Sequence, residues 1–185
     1  CPKVFKDITH QGALNDKGAL LNEFLQSIQN FEDHLGPIFI QLSESFNRKK
    51  ELFEFLESLP TNLQFFLEIR HPDLLANEAL FDYLQQKNIG IVITDTAGRR
   101  DCAHMKLTVP KTFIRFISNE GHPSDYTRIW EWAERVKFWL DQGIEEVYFF
   151  VHMNDEIQSL DLANYVIKSF NKICETKIPE LEFIK

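Results

Sequence analysis

Short apolar runs alternate along the chain with longer amphipathic ones. Leu20, Leu21, Phe24, Leu25, Ile28, Phe31 and Leu35 recur at helical spacing, and Gly36 stops them, so a helix is predicted there. Residues 37–42 (PIFIQL) form a short β-rich run and read as a strand. A helix over 52–59 is closed by Pro60. Residues 64–70 (QFFLEIR) read as the next strand, 76–87 as a helix, and 89–95 and 112–117 as two further strands. The polar stretch 96–111 has room for at most a short helix. Tyr126, Ile129, Trp130, Ala133, Val136 and Leu140 give the stripe of a helix over 125–140, with Ser124 as its expected N-cap and Trp130 as core. The reading places Trp132 and Trp139 at its edge. Residues 145–152 read as the last strand, 160–174 as the last helix, and 176–185 as an extended cover.

Strand and helix in strict alternation imply βαβ units and a parallel sheet. The strands are apolar on both parities, as strands buried on both faces are. Two architectures fit: an open doubly wound sheet, and a (β/α)8 barrel lacking its first part. An open nucleotide-binding sheet usually carries a glycine-rich first turn. Neither G-x-G-x-x-G nor G-x-x-x-x-G-K occurs, so no cofactor is expected.

Composition narrows the classes. At 185 residues the chain is expected to be one domain, residues 1–185, and 44% hydrophobic with 26% charged residues is ordinary globular composition. No apolar run approaches the ~20 residues of a membrane span. The net charge of −8 argues against a broad nucleic-acid face. Phe dominates the aromatic residues with 17 copies, mostly at core periods, which is packing chemistry. Three scattered cysteines without a C-x-x-C pair suggest neither a disulfide framework nor a zinc ribbon, and a reducing cytoplasm is the expected location.

The polar residues concentrate at the C-terminal ends of the strands: Gln41, then Glu68 and Arg70, then Asp95, Arg115, and finally His152 and Asn154. In both candidate folds ligands meet that edge. Arg115 lies within an apolar run, where a charge is costly unless paired, so pairing with Glu68 or Asp95 is expected. Arginine forks suit carboxylate and phosphate. Glu68 and Asp95 are the acid/base candidates, with His10 assisting proton transfer. Arg70, Arg115, Gln41, His152 and Asn154 are the substrate-binding candidates. Glu68, Asp95 and His152 could in principle share a metal, but no ligand motif supports one. Gly98-Arg99-Arg100-Asp101 could touch phosphate, and Cys102 and His104 read as surface loop.

Thr9-His10, Phe39-Ile40-Gln41-Leu42, Leu67-Glu68-Ile69-Arg70-His71-Pro72, Asp95 and Phe113-Ile114-Arg115-Phe116, in this order, resemble the YecE-like family, also called domain of unknown function 72. The resemblance runs from residue 3 to about residue 172. It implies a TIM-like β/α barrel, here its C-terminal two-thirds, because the family's first two strands and most of the third precede the Thr-His motif. It also implies open barrel edges through which copies could associate. The chain departs from the pattern twice. Many relatives read Arg-x-His-Gly where this chain has Arg115-Phe116-Ile117-Ser118, and a Phe-Asn-Asn type ending where it has His152-Met153-Asn154. For the family a sugar-isomerase relationship has been suggested by fold resemblance. The leading expectation is an enzyme acting on a small polar or anionic metabolite such as a sugar or sugar phosphate. The alternatives are a metal-dependent phosphodiester hydrolase acting on nucleic acid and a non-enzymatic binding module.

Overall fold

A computed structural model describes residues 1–99, 101–154 and 156–182. It is α/β, with five strands whose described pairings are all parallel. The chain divides into two compact units, Cys1–Ile93 with His104–Val109, and Thr94–Ala103 with Pro110–Lys185.

In the first unit β1 (Ile38–Gln41) pairs with β2 (Phe65–Glu68), and β2 pairs with the start of β3 (Gly90–Thr96), a strand that ends in the second unit. Lys3 bridges Phe39 in parallel, so the first residues run along the other edge of β1. Every residue of β1 and β2 is buried, which explains why apolar side chains occupy both parities. Ile38, Ile40, Phe65, Leu67 and Ile91 join one core with Phe24 of α2 (Gly18–Ile28), Leu52 and Phe55 of α3 (Lys49–Glu57) and Leu80 and Leu84 of α5 (Glu78–Gln86). Between them in sequence lie α1 (Lys6–Thr9) and α4 (Pro72–Leu75). Alternation sends Phe39, Gln41, Phe66 and Glu68 to the opposite face. There a Cβ on Gly90 would lie 2.2 Å from the Phe66 ring, so only glycine fits beneath it.

The helix expected to run to Leu35 ends earlier. α2 stops at Ile28 and a 3₁₀ stretch, Gln29–His34, follows, interrupted at Glu32 with φ 46°. Three residues per turn suit a short connector that must redirect the chain into β1.

In the second unit β4 (Lys111–Ile117) pairs with β5 (Glu146–His152) along its whole length, joined through α6 (Pro123–Asp141) and followed by α7 (Glu156–Ile173). No helix is described between β3 and β4. The stripe of α6 is rotated from its expected phase. Trp132 and Trp139 are buried, at 5% and 7% exposure, whereas Tyr126 is exposed. Trp130 lies at the margin, donating to Glu134 at 3.1 Å with Lys172 over its ring. The indole of Trp132 donates to the half-buried Asp95 at 2.8 Å, which fixes the phase. The cap also differs. The N-cap is His122, whose side chain accepts from the Ser124 N–H at 3.2 Å, because Pro123 takes the first helical position with its φ preset and no N–H to satisfy. Beyond α7 the tail is held as an extended cover. Asn171 exchanges bonds with Ile178, and Asn164 with Leu181, at 2.7–3.1 Å.

Candidate functional site

The register of β1 and β2 sets Gln41 beside Glu68 at the C-terminal ends of both strands. Arg70, two residues on, shares their face. The Glu68 side chain is 0% exposed and accepts from Gln41 Nε2 at 3.1 Å and Arg70 Nε at 2.5 Å. Gln41 turns its own oxygen to the Lys3 ammonium. Arg70 also approaches Glu44 at 3.7 Å. A carboxylate so buried is tolerated only because charge-assisted donors replace its water. His10 exchanges a 2.7 Å hydrogen bond with Thr9 through Nδ1. Burial first, then the positive charges of Lys3, Lys6 and Arg70, hold its pKa below the ordinary value, against the opposing pull of Glu68. The imidazole is therefore neutral at neutral pH and able to accept a proton.

His10 also lines a cleft of about 450 Å³ with Thr9, Ser43, Ser45, Phe46 and Arg48. Its walls come from the loop after α1 and the loop that follows β1. Arg48 is held in place: it donates to Glu51 at 2.6 Å and to the Gly12 carbonyl at 3.0 Å, and lies 4.6 Å over the Phe46 ring. That guanidinium, followed by a hydrogen bond from the Leu14 N–H, keeps the Glu51 carboxyl below its usual range against the effect of burial. The cleft thus offers hydroxyls, an imidazole and a fixed cation, the groups that recognise an anionic or hydroxyl-rich molecule.

The second unit treats its carboxylates differently. Asp95 accepts from Arg128 at 2.9 and 3.1 Å and from the Trp132 indole at 2.8 Å. Arg128 also donates to the carbonyls of Asp95 and Ile117 and to Asp125, and lies 4.2 Å over the Phe116 ring. Asp125, 0% exposed, accepts the N–H groups of Asn119 and Gly121 and so folds the loop after β4. Arg115 donates to His152 at 3.3 Å, and Asn154 donates to Glu120 at 2.5 Å.

Arg115 is expected to pair with Glu68 or Asp95; among the described contacts Arg70 meets Glu68 and Arg128 meets Asp95. Arg70 shares a strand face with Glu68, and Arg128 reaches Asp95 from the first turns of α6. Sequence reasoning passed over Arg128 and Asp125, whose signal is an acid and a base three apart at a helix start. It also passed over Lys3, Ser43, Ser45 and Arg48.

His104 is not a surface-loop residue. It is largely buried, donates through Nε2 to the Val92 carbonyl at 3.1 Å and accepts the Lys106 N–H on Nδ1 at 3.3 Å. Burial drives its pKa down to about 4, with the hydrogen bond to Val92 opposing and the charge of Lys106 adding to the fall. Cys102 is buried beside it in sequence, taking a contact from Arg99 at 3.3 Å, and Arg99 pairs with Asp101 at 2.9 Å. Arg100 lies outside the described residues. Among the described residues no three His, Cys, Asp or Glu side chains are grouped to hold a metal ion, and no helix is long and apolar enough to cross a membrane.

The chain is 26% identical over 196 residues to UPF0759 protein YecE of Escherichia coli K12, and equally to that of strain O157:H7, covering 93% of this chain and 71% of the relative. Its fold is similar to two crystal structures of a DUF72 family protein from Enterococcus faecalis V583. Their TM-scores are 0.73 and 0.71 at 17% identity, and the matches cover 99% and 95% of this chain and 76% and 77% of theirs. The family model described as "Protein of unknown function DUF72" matches residues 1–182, and the chain belongs to that family.

Proposed function

We propose that the chain binds a small polar or anionic metabolite, a sugar or sugar phosphate, at the C-terminal ends of β1 and β2, and acts on it there. The observation that carries this is the join between the cleft and the charged cluster. His10 lines the cleft and also feels Lys3, Arg70 and Glu68. In the proposed reading Arg48 and Arg70 hold the anionic group, Ser43, Ser45 and Gln41 meet hydroxyls, and His10 and Glu68 divide proton transfer. Asp95 has a positioning role, since both its oxygens are already committed to Arg128 and Trp132. Arg115, His152 and Asn154 stand outside this reading.

The same reading takes the five strands as consecutive strands of a TIM-like β/α barrel, a fold whose sites lie at the C-terminal strand ends. The parallel pairings and the likeness to the DUF72 crystal structures support it. Three free cysteines favour a reducing cytoplasm as its workplace.

Calorimetric titration with inorganic phosphate, glucose 6-phosphate and glucose tests the proposal. Glucose 6-phosphate is expected to bind more tightly than glucose, and Arg70→Met and Arg48→Met are each expected to lose that preference. His10→Gln is expected to keep binding and lose turnover. Heat-silent titrations with all three probes on the folded chain would overturn it.

A further inference from the structure

Burial, then the charges of Lys3, Lys6 and Arg70, keep His10 neutral at neutral pH, so which ring nitrogen carries the proton decides what it can do. Nδ1 faces the Thr9 hydroxyl at 2.7 Å, and among the described residues this is the only hydrogen bond that either side chain makes. Thr9 is 3% exposed. A hydroxyl has one proton to give and two lone pairs to receive. Were Nδ1–H to donate, the Thr9 proton would stand buried without an acceptor, whereas an unused lone pair on Thr9 costs less. Thr9 therefore donates to Nδ1, and the ring proton sits on Nε2. His10 lines the cleft, so Nε2–H is the polar group its ring has left to offer there.

We propose, on the sugar-phosphate reading of the cleft, that Thr9 is a positioning residue which fixes His10 as a neutral hydrogen-bond donor, and that the ligand it serves carries a carbonyl beside a C–H bond: an enolisable ketose or aldose phosphate. With Nδ1 engaged by Thr9, the side the ring turns to the ligand is a donor. Glu68 has the opposite chemistry. Its carboxylate offers acceptor oxygens only, and it is 0% exposed beside Gln41 and Arg70. Enolisation uses both. Glu68 takes the proton from the carbon beside the carbonyl, and the C–H electron pair becomes the C=C bond. The carbonyl π pair moves onto oxygen, where Nε2–H meets the charge as it develops. No other reactant enters: the proton lost from carbon rests on Glu68 and returns to carbon in the reverse step. A neutral imidazole donor paired with a carboxylate base suits this chemistry. Arg48, fixed by Glu51 and the Gly12 carbonyl, holds the phosphate. A ligand with hydroxyls alone could use the same donor but would give it no charge to stabilise.

Nitrogen NMR of the chain labelled in its histidines, with His10 assigned by its loss in His10→Phe, is expected to show the proton on Nε2 in the ligand-free protein. In deuterium oxide, dihydroxyacetone phosphate and fructose 6-phosphate are expected to gain deuterium next to the carbonyl, and glycerol 3-phosphate, which has no carbonyl, to gain none. His10→Phe is expected to slow that exchange about 100-fold. Thr9→Val, which keeps the shape and removes the hydroxyl, is expected to mix the two ring tautomers and slow exchange by a smaller factor, and Thr9→Ser to restore both. The spectrum of the unaltered chain keeps the test in force should Thr9→Val fail to fold. A proton on Nδ1 overturns the proposal, as does exchange that Thr9→Val leaves as fast as before. Absence of exchange from both ketose phosphates while calorimetry shows them bound also overturns it, and leaves the sugar-phosphate reading standing. Silent calorimetry with every phosphate brings down that reading and the ligand with it, and the spectrum alone then decides the role of Thr9.

Discussion

Two carboxylates at strand ends, each met by an arginine, have been built into opposite kinds of object. Glu68 is held by side chains alone among its described bonds: Gln41 from the next strand and Arg70 from its own. Asp95 is held by an arginine that also grips two backbone carbonyls and a second buried carboxylate, and by an indole. Side-chain partners can be re-aimed toward a ligand. A guanidinium shared between two backbone carbonyls and two carboxylates is held in place by groups that cannot move away. In the proposed reading the difference separates a place where chemistry can happen from a brace that sets loops. The pairing of an acid with an arginine does not distinguish them; what else the arginine touches does.

The largest effect should come from removing the brace. Arg128→Met leaves Asp95, Asp125 and the carbonyls of Asp95 and Ile117 without their shared donor. Breaking a buried pair from one side costs about 3–5 kcal/mol, to be read as a lowered urea midpoint with unchanged slope. A loss within ordinary surface values would erase the contrast.

Acid should act next, and through the first unit. His104 has a folded-state pKa of about 4 against 6.5 in the unfolded chain. Its contribution is fully present above pH 6.5 and lost as the pH falls toward 4, because the unfolded state takes up the proton first. The difference corresponds to about 3 kcal/mol. His104→Phe, which cannot titrate, should flatten the stability profile across that window, and a profile unchanged by this substitution would count against a buried neutral ring.

The two carboxylates themselves give a finer comparison. Asp95→Asn must turn an amide N–H₂ toward Arg128 or the indole, at a cost of about 2–3 kcal/mol. Glu68→Gln retains an oxygen for Gln41 and Arg70, and about 1 kcal/mol is expected, together with altered phosphate binding that Asp95→Asn does not show. Equal losses and equal binding would make both acids braces. The smallest effect is spectroscopic. The ring protons of His10 should titrate below the ordinary histidine value, and saturating phosphate should move that titration upward, since an anion offsets the neighbouring positive charges.

Much of the frame was legible in the sequence because burial on both faces leaves apolar residues on both parities. All five strands lie within one or two residues of their expected bounds, and Gln41, Glu68 and Arg70, picked out as polar residues that end them, meet in one cluster. The phase of α6 was not legible. Three tryptophans within ten residues cannot all share one stripe, and the buried polar pair Asp125 and Arg128 disguises which face turns inward. Arg128 looked like any exposed helix residue, because the carbonyls that claim it come from residues distant in sequence. The cleft escaped notice for the same reason: Ser43, Ser45 and Arg48 acquire meaning only when the loop after α1 is folded beside them.

Phe66 and Glu68 stand on the same face of β2, and the ring of Phe66 lies where a Cβ at position 90 would be. Any side chain at Gly90 would displace that ring from its place. A residue with no chemistry of its own thus fixes where a large side chain stands on the strand face that also carries Glu68.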